Sequence, residues 1–182
     1  MRDMRLWLRA FRKLPHRFRY DISAVTSIEF AILAAPFFFV MFAIIETSIS
    51  FTAQQMLSHN AERIARSFKV NLLNSTNTDE AKLREKVCDG LSVFFLADCN
   101  QIVVDLQVYP SIRDIPTAIP YDLTGDIDTS TFKVEPGNSD TLNHLRVFYR
   151  WPWYTDLIRS RFSNLPDGRT LLFSSETWRN EP

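Results

Sequence analysis

Glycine is scarce in this chain: four in 182 residues, which leaves no glycine-rich loop to cradle a phosphate. Histidine is scarcer. His16, His59 and His144 fall in three different elements, a scatter that suits neither a metal cluster nor a catalytic histidine with its partner. The two cysteines, Cys88 and Cys99, stand too far apart for a Cys-x-x-Cys redox motif or a zinc pair. Asp122, Asp126 and Asp128 of "DLTGDID" alternate with backbone carbonyls, as calcium ligands do. They lack the spacing and terminal glutamate of an EF-hand, and a solvated loop is the simpler reading. There is no internal repeat and no low-complexity tract. The chain therefore carries no recognisable enzyme motif, and neither a cofactor nor a metal is expected.

Charge is missing in one place above all. Phe30–Ile45 contains no charged and no strongly polar side chain. Extended to residues 25–51 the run makes a helix of roughly 40 Å, enough to cross a bilayer with its ends in the head groups. Upstream, Arg2, Arg5, Arg9, Arg12, Lys13, Arg17 and Arg19 face only Asp3 and Asp21, while the remainder is mildly acidic. A basic arm of this kind suits nucleic acid or anionic lipid. The adjoining hydrophobic run points to the membrane and not to nucleic acid. Within the next twenty or so residues only Arg63, Arg66 and Lys69 follow the run, so the positive-inside rule places the N-terminus in the cytoplasm and exports the rest. Residues 1–24 then form a basic cytoplasmic leader, with a short amphipathic helix before Pro15, and 25–51 a transmembrane helix. Residues 52–182 form the exported domain. In an oxidising compartment Cys88 and Cys99 would pair, closing a loop worth about 2–3 kcal/mol on the chain-entropy account, with two buried thiols as the alternative.

Periodicity sketches the domain. Met56, Leu57, Ala61, Ile64, Ala65 and Phe68 recur at helical spacing, and no Gly or Pro separates them from the membrane segment. One helix from about 25 to 72 is expected, with Pro36 kinking it or loosening a turn. Asn77 followed by Glu80 resembles a capping box ahead of a helix with Leu83, Val87 and Leu91 on one face. "QIVVDLQVY" alternates as a strand with Ile102, Val104, Leu106 and Val108 together, and "NHLRVFYRW" does so with Leu145, Val147, Tyr149 and Trp151. Residues 110–141 read as loop with "STFKV" a short strand, and "LPDG" turns into a final strand. The sum is an α+β domain with a small, mainly antiparallel sheet on a helical stalk. In "VFYRWPWY", Val147 and Tyr149 belong to the core. Trp151, Trp153 and Tyr154 are open between core and assembly contact, with Arg150 placed for cation–π contacts.

Two acids bracket the apolar run, Glu29 at its mouth and Glu46 beyond its end. A carboxylate beside hydrocarbon is expensive and usually functional. A basic leader, small Ala24, then Glu29-Phe30 opening an apolar helix resembles a prepilin processing site. "AVTSIEFAILAAPFFFVMFAIIE" further resembles the N-terminal signature of TadE-like proteins, minor pilins or pseudopilins of the tight-adherence (Flp) pilus. Glu29-Phe30, Pro36 and Ile44-Ile45-Glu46 carry the likeness. "VCDGL", "DCN", "FYRWP", "LPDG" and "WRNEP" are similar to alphaproteobacterial members.

That resemblance implies a single-pass inner-membrane protein with a periplasmic, pilin-like domain, needed for pilus assembly and not an enzyme. A prepilin peptidase would cut between Ala24 and Val25, making Glu29 the fifth residue of the product. There its carboxylate could pair with the free N-terminal amine of a neighbouring pilin. Other pilins, the assembly machinery and the peptidase are the implied partners, and Glu46 is a second candidate contact. One departure is Ala24 itself, where the family usually has glycine. The alternatives are an uncleaved membrane-anchored accessory binding protein, a secreted protein cut near "SIS" at 48–50, and, remotely, a periplasmic enzyme.

Overall fold

A computed structural model describes residues 22–92 and 98–181. The leader's expected helix and His16 lie outside the described residues. Two compact units divide at Ile45 and Glu46. A single helix, α1 (Ile22–Lys69), contributes to both.

In the first unit α1 is apolar all round and its large side chains are exposed, Phe30, Leu33 and Phe37 among them. It is long and apolar enough to cross a membrane, with a mean hydropathy of 2.4 over its most apolar window. Pro36 sits inside the helix, which continues through it.

In the second unit α1 becomes one-sided. Ala53, Leu57, Ala61, Ile64, Ala65 and Phe68 form a buried stripe at three- and four-residue spacing. The helix ends three residues before the expected point, and the termination is specific. Asn71 takes the left-handed conformation (φ 58°), its N–H bonds Phe68 O at 3.0 Å, and Leu72 N–H bonds Ser67 O at 2.9 Å. This is a Schellman stop, with asparagine where glycine is usual.

After the turn comes α2 (Glu80–Ser92), burying Leu83, Val87, Cys88 and Leu91. Its cap is Asp79, whose carboxylate accepts the Lys82 N–H at 2.8 Å. Asn77, expected in that role, instead closes the preceding turn by accepting from Asn74 N and donating to Leu72 O. The helices approach closely at Gly90, where a Cβ would lie 2.1 Å from Asn60 Nδ2. That amide donates to Val87 O at 2.8 Å, so Gly90 makes room for a buried polar clasp. Cys88 is disulfide-bonded to Cys99, Cα to Cα 5.4 Å, which fastens α2 to the 3-10 turn (Cys99–Gln101) leading into the sheet.

The sheet is antiparallel in the order β1 (Ile102–Tyr109), β2 (Leu142–Trp151), β3 (Thr170–Arg179). One face, with Ile102, Val104, Leu106, Leu145, Val147, Tyr149, Trp151, Leu172 and Trp178, packs on the helical layer. Val108, expected with them, is exposed at the rim. Trp178 stacks on Phe68 at 6.0 Å, and Glu181 N–H bonds Lys69 O, drawing the C-terminal stretch onto the end of α1.

The opposite face is also covered. Ile127, Phe148, Leu165 and Leu171 form a second cluster with Ile119, Phe132 and Phe173 against it. Residues 110–141 are largely loop as expected, yet they serve as a third layer. Beneath them lies a buried ion pair. Arg146 donates to Asp105 Oδ2 through Nε (2.8 Å) and Nη2 (2.6 Å), while Asp105 Oδ1 accepts from Lys133 N (3.0 Å) and Gln107 Nε2 (2.7 Å). The guanidinium also lies over the Phe132 ring, 5.0 Å from its centre. "STFKV" pairs along β1 only through the parallel bridge of Val134 with Leu106, not as a strand. Strand formation stops there because Asp105 has taken the Lys133 N–H.

Both outer edges of the sheet are thus occupied. The 131–135 segment lines β1, and on β3 the Gln54 side-chain amide donates to Phe173 O at 2.8 Å and accepts from Phe173 N at 3.3 Å. A glutamine acting as one strand residue blunts an edge that would otherwise invite another chain.

Asp105→Ala strands a buried guanidinium and frees the 131–135 segment. It is expected to cost about 3–5 kcal/mol, read from the denaturant midpoint, with conservative exposed changes such as Lys133→Arg near neutral.

Candidate functional site

The residues singled out in the sequence fall into four groups. Ala24 and Val25 lie in the first turn of α1. Glu29 follows within the same helix, exposed among exposed apolar side chains.

Glu46 is used differently. It is half-buried, and its Oε1 accepts the backbone N–H of Tyr154 at 2.5 Å and of Thr155 at 3.2 Å. These amides open a short helix, α3 (Asp156–Phe162), whose N-cap Thr155 makes no side-chain capping bond. A carboxylate from α1 supplies one shared acceptor oxygen at the positive end of α3, where negative charge is favoured. The helix itself was legible but not read: Thr155-Asp156 is a start signal, and Arg159 and Arg161 fill the last turn.

The aromatic run divides along its length. Tyr149 and Trp151 are core, ring centres 6.2 Å apart. Trp153 is half-buried: its Nε1–H donates to Thr170 Oγ1 at 2.7 Å, and that hydroxyl donates to Phe162 O at 2.6 Å. The Trp153 and Phe162 rings are 5.8 Å apart. Tyr154 projects, 85% exposed. Of Trp151, Trp153 and Tyr154, only Tyr154 is fully at the surface. Arg150 does not lie between aromatic faces; it pairs with Asp126 at 2.9 Å, and the cation–π contact belongs to Arg146.

The other polar candidates are structural. Asp122 Oδ1 accepts from Thr124 N, Thr124 Oγ1 and Asp126 N, and Asp128 accepts from Ser130 N. Those donors hold both carboxyls below the ordinary range. Among the described residues no group of three His, Cys, Asp or Glu is placed to hold a metal. His59 is exposed on α1, whereas His144 is buried with Nδ1 2.8 Å from Thr177 Oγ1 and its ring edge-on to Tyr109. An open groove of about 750 Å³ between α1 and α2 is lined by Asn60, Arg63, Arg66, Leu73 and Lys86.

A candidate membrane helix running into a small α+β domain defines a class: proteins with one candidate span whose helix continues into the domain that it carries. Within that class the match is specific. Residues 24–66, the greater part of α1, match the family model for TadE-like protein. The match is consistent with a TadE-like protein of the Tad pilus system. The family implies a pilus-associated protein, structural rather than catalytic, working with the membrane and the pilus machinery. No curated protein and no solved structure matches the chain.

Two outcomes follow from this geometry. Burial, with Arg146 adding, pushes the His144 imidazole below its ordinary value of about 6.5. The unfolded chain then binds the extra proton more readily, so this stability is present above about pH 6.5 and lost as pH falls through the folded value. The unfolding midpoint should drop on acidification below that point, and His144→Gln should flatten the slope. Glu46→Ala removes the one oxygen that accepts from both Tyr154 and Thr155. It is expected to loosen residues 153–162 by about 1–2 kcal/mol, seen as faster trypsin cleavage at Arg159 and Arg161 with little change in overall melting.

Proposed function

We propose that this protein is a minor pilin or pseudopilin that acts structurally in assembly of the tight-adherence pilus. The observation that carries the reading is the family match over 24–66, falling on a helix whose apolar half is exposed and whose other half builds the domain core. In this reading the leader stays in the cytoplasm, residues 25–51 cross the inner membrane, and residues 52–182 lie in the periplasm. A prepilin peptidase cuts between Ala24 and Val25, where small alanine stands in place of the family's usual glycine.

The helix then packs beside other pilin helices. Glu29, fifth in the product, pairs its carboxylate with a neighbour's terminal amine, each offsetting the other's desolvation. Charge at that depth sets register, because an unpaired carboxylate would be left in hydrocarbon by any other offset. The domain faces partner pilins and the machinery, with Tyr154 among its exposed contacts, and catalyses nothing.

The test is the N-terminal residue of the protein in membranes of its native host. Val25 is expected. Met1 would mean an uncleaved, anchored accessory protein, and a start near Phe51 would mean secretion. Glu29→Ala should leave membrane insertion intact and abolish pilus assembly; assembly at the native level would remove the register role.

A further inference from the structure

Two surfaces of the second unit are left uncovered by the fold, and their chemistry is opposite. The first is the open groove of about 750 Å³ between α1 and α2. Arg63, Arg66 and Lys86 line it against one acid, Asp89. Arg66 is paired with Glu62, whereas Arg63 and Lys86 have no ion pair among the described residues. Val70 and Leu72, also in its lining, are exposed. The groove thus offers bare apolar surface beside uncompensated positive charge.

The second surface is the tip of the 110–141 layer. Tyr121 bridges Ile127, and Asp122 N–H bonds Asp126 O at 2.8 Å, so residues 121–127 form a small hairpin. Gly125 turns it with φ 83°, and Asp122 Oδ1 clamps it by accepting from Thr124 N, Thr124 Oγ1 and Asp126 N. Leu123 stands at the apex, fully exposed, with exposed Tyr121 nearby. A leucine presented on an ordered turn is preorganised for contact, because little flexibility remains to be lost on binding. Asp126 is paired with Arg150 at 2.9 Å, but Asp122 and Asp128 have no basic partner among the described residues. The tip is therefore apolar at its apex and negative around it.

We propose that the groove receives the 121–128 tip of a second copy of this chain, Leu123 entering against Val70 and Leu72 while Asp122 and Asp128 meet Arg63 and Lys86. Ile127 roots the tip in the cluster on one face of the sheet, and the groove belongs to the helical layer on the other. The sheet separates a chain's own tip from its own groove. The contact is consequently head to tail, and it leaves one tip and one groove free for further copies. Charge selects this pairing, since tip against tip or groove against groove would set like charges together. It requires neither cleavage after Ala24 nor a membrane span, so it stands apart from the pilin reading.

The experiment uses the full chain in detergent micelles, with the Cys88–Cys99 disulfide intact, as an equal mixture of ordinary and isotopically heavy copies. A photoreactive benzoylphenylalanine replaces Leu123, and cross-linked peptides are identified by mass spectrometry. Links from position 123 to residues 60–73 or 86–90 are expected, in the light–heavy pairs that only two copies can give. Salt at about 0.5 M should cut their yield several-fold, because exposed charges are screened. Arg63→Glu with Lys86→Glu should do the same with the circular dichroism unchanged, whereas Arg113→Glu with Arg161→Glu, outside the groove, should leave the yield as it was. If the groove variant fails to fold, the map of links and its salt dependence still decide. Links found only within one copy, links confined to residues 30–45, or no links would each overturn the proposal. A yield indifferent to salt would overturn the charge pairing on which it rests.

Discussion

A three-stranded sheet cannot bury itself. Its central strand can be dry only if something apolar lies on each side, and three strands have too little surface to supply it. The stripe from Ala53 to Phe68 on α1, with α2 beside it, closes one face. That stripe is the continuation of the helix whose first part is apolar all round. The candidate membrane span and the core stripe are therefore one element, and the compact unit begins at Glu46, before the stripe starts. Along its length α1 changes from an exposed, largely apolar surface to a one-sided stripe that the sheet covers.

The other face shows how a loop can act as a layer. Residues 110–141 are rich in Asp, Ser, Thr and Pro and offer few large apolar groups, so they cannot cover a sheet by burial alone. Polar anchorage makes up the difference. Asp105 receives four donors from β1, β2 and the loop backbone, and Arg146 carries Phe132 on its guanidinium plane. Buried ion pairs gain little over apolar packing. Here the pair has a second consequence, since it fixes where 131–135 meets β1 and so where Phe132 enters the second cluster.

Two glutamates that look alike in sequence have separate fates. Glu46 is absorbed by its own fold, as acceptor for two backbone amides that α3 would otherwise leave bare. Glu29 stands exposed on α1. In the pilin reading that difference divides the work: one acid shapes the domain where it leaves the membrane, the other is available to a neighbouring subunit.

Much of this was legible in the residues because it depends on local period and composition. The apolar run, the helical stripe, the second helix and two alternating strands each follow from spacing that a single element enforces, and the final strand from the turn that opens it. The family signature at Glu29-Phe30 and Pro36 is likewise contiguous. Tertiary structure alone decided the rest, since each case depends on partners far apart in the chain. Period-two alternation in β2 could not reveal that Phe148 and Arg146 would also be buried, because the preceding loop, with Ile127 and Phe132, covers them. Asn77 matched a capping pattern, but Asp79 won the cap because the turn required Asn77 elsewhere. Trp151 and Tyr154 are three residues apart in one aromatic run; only packing against α1 and β3 made one core and the other surface. Sequence sets what each segment can bury, and the fold decides which of those surfaces has a neighbour.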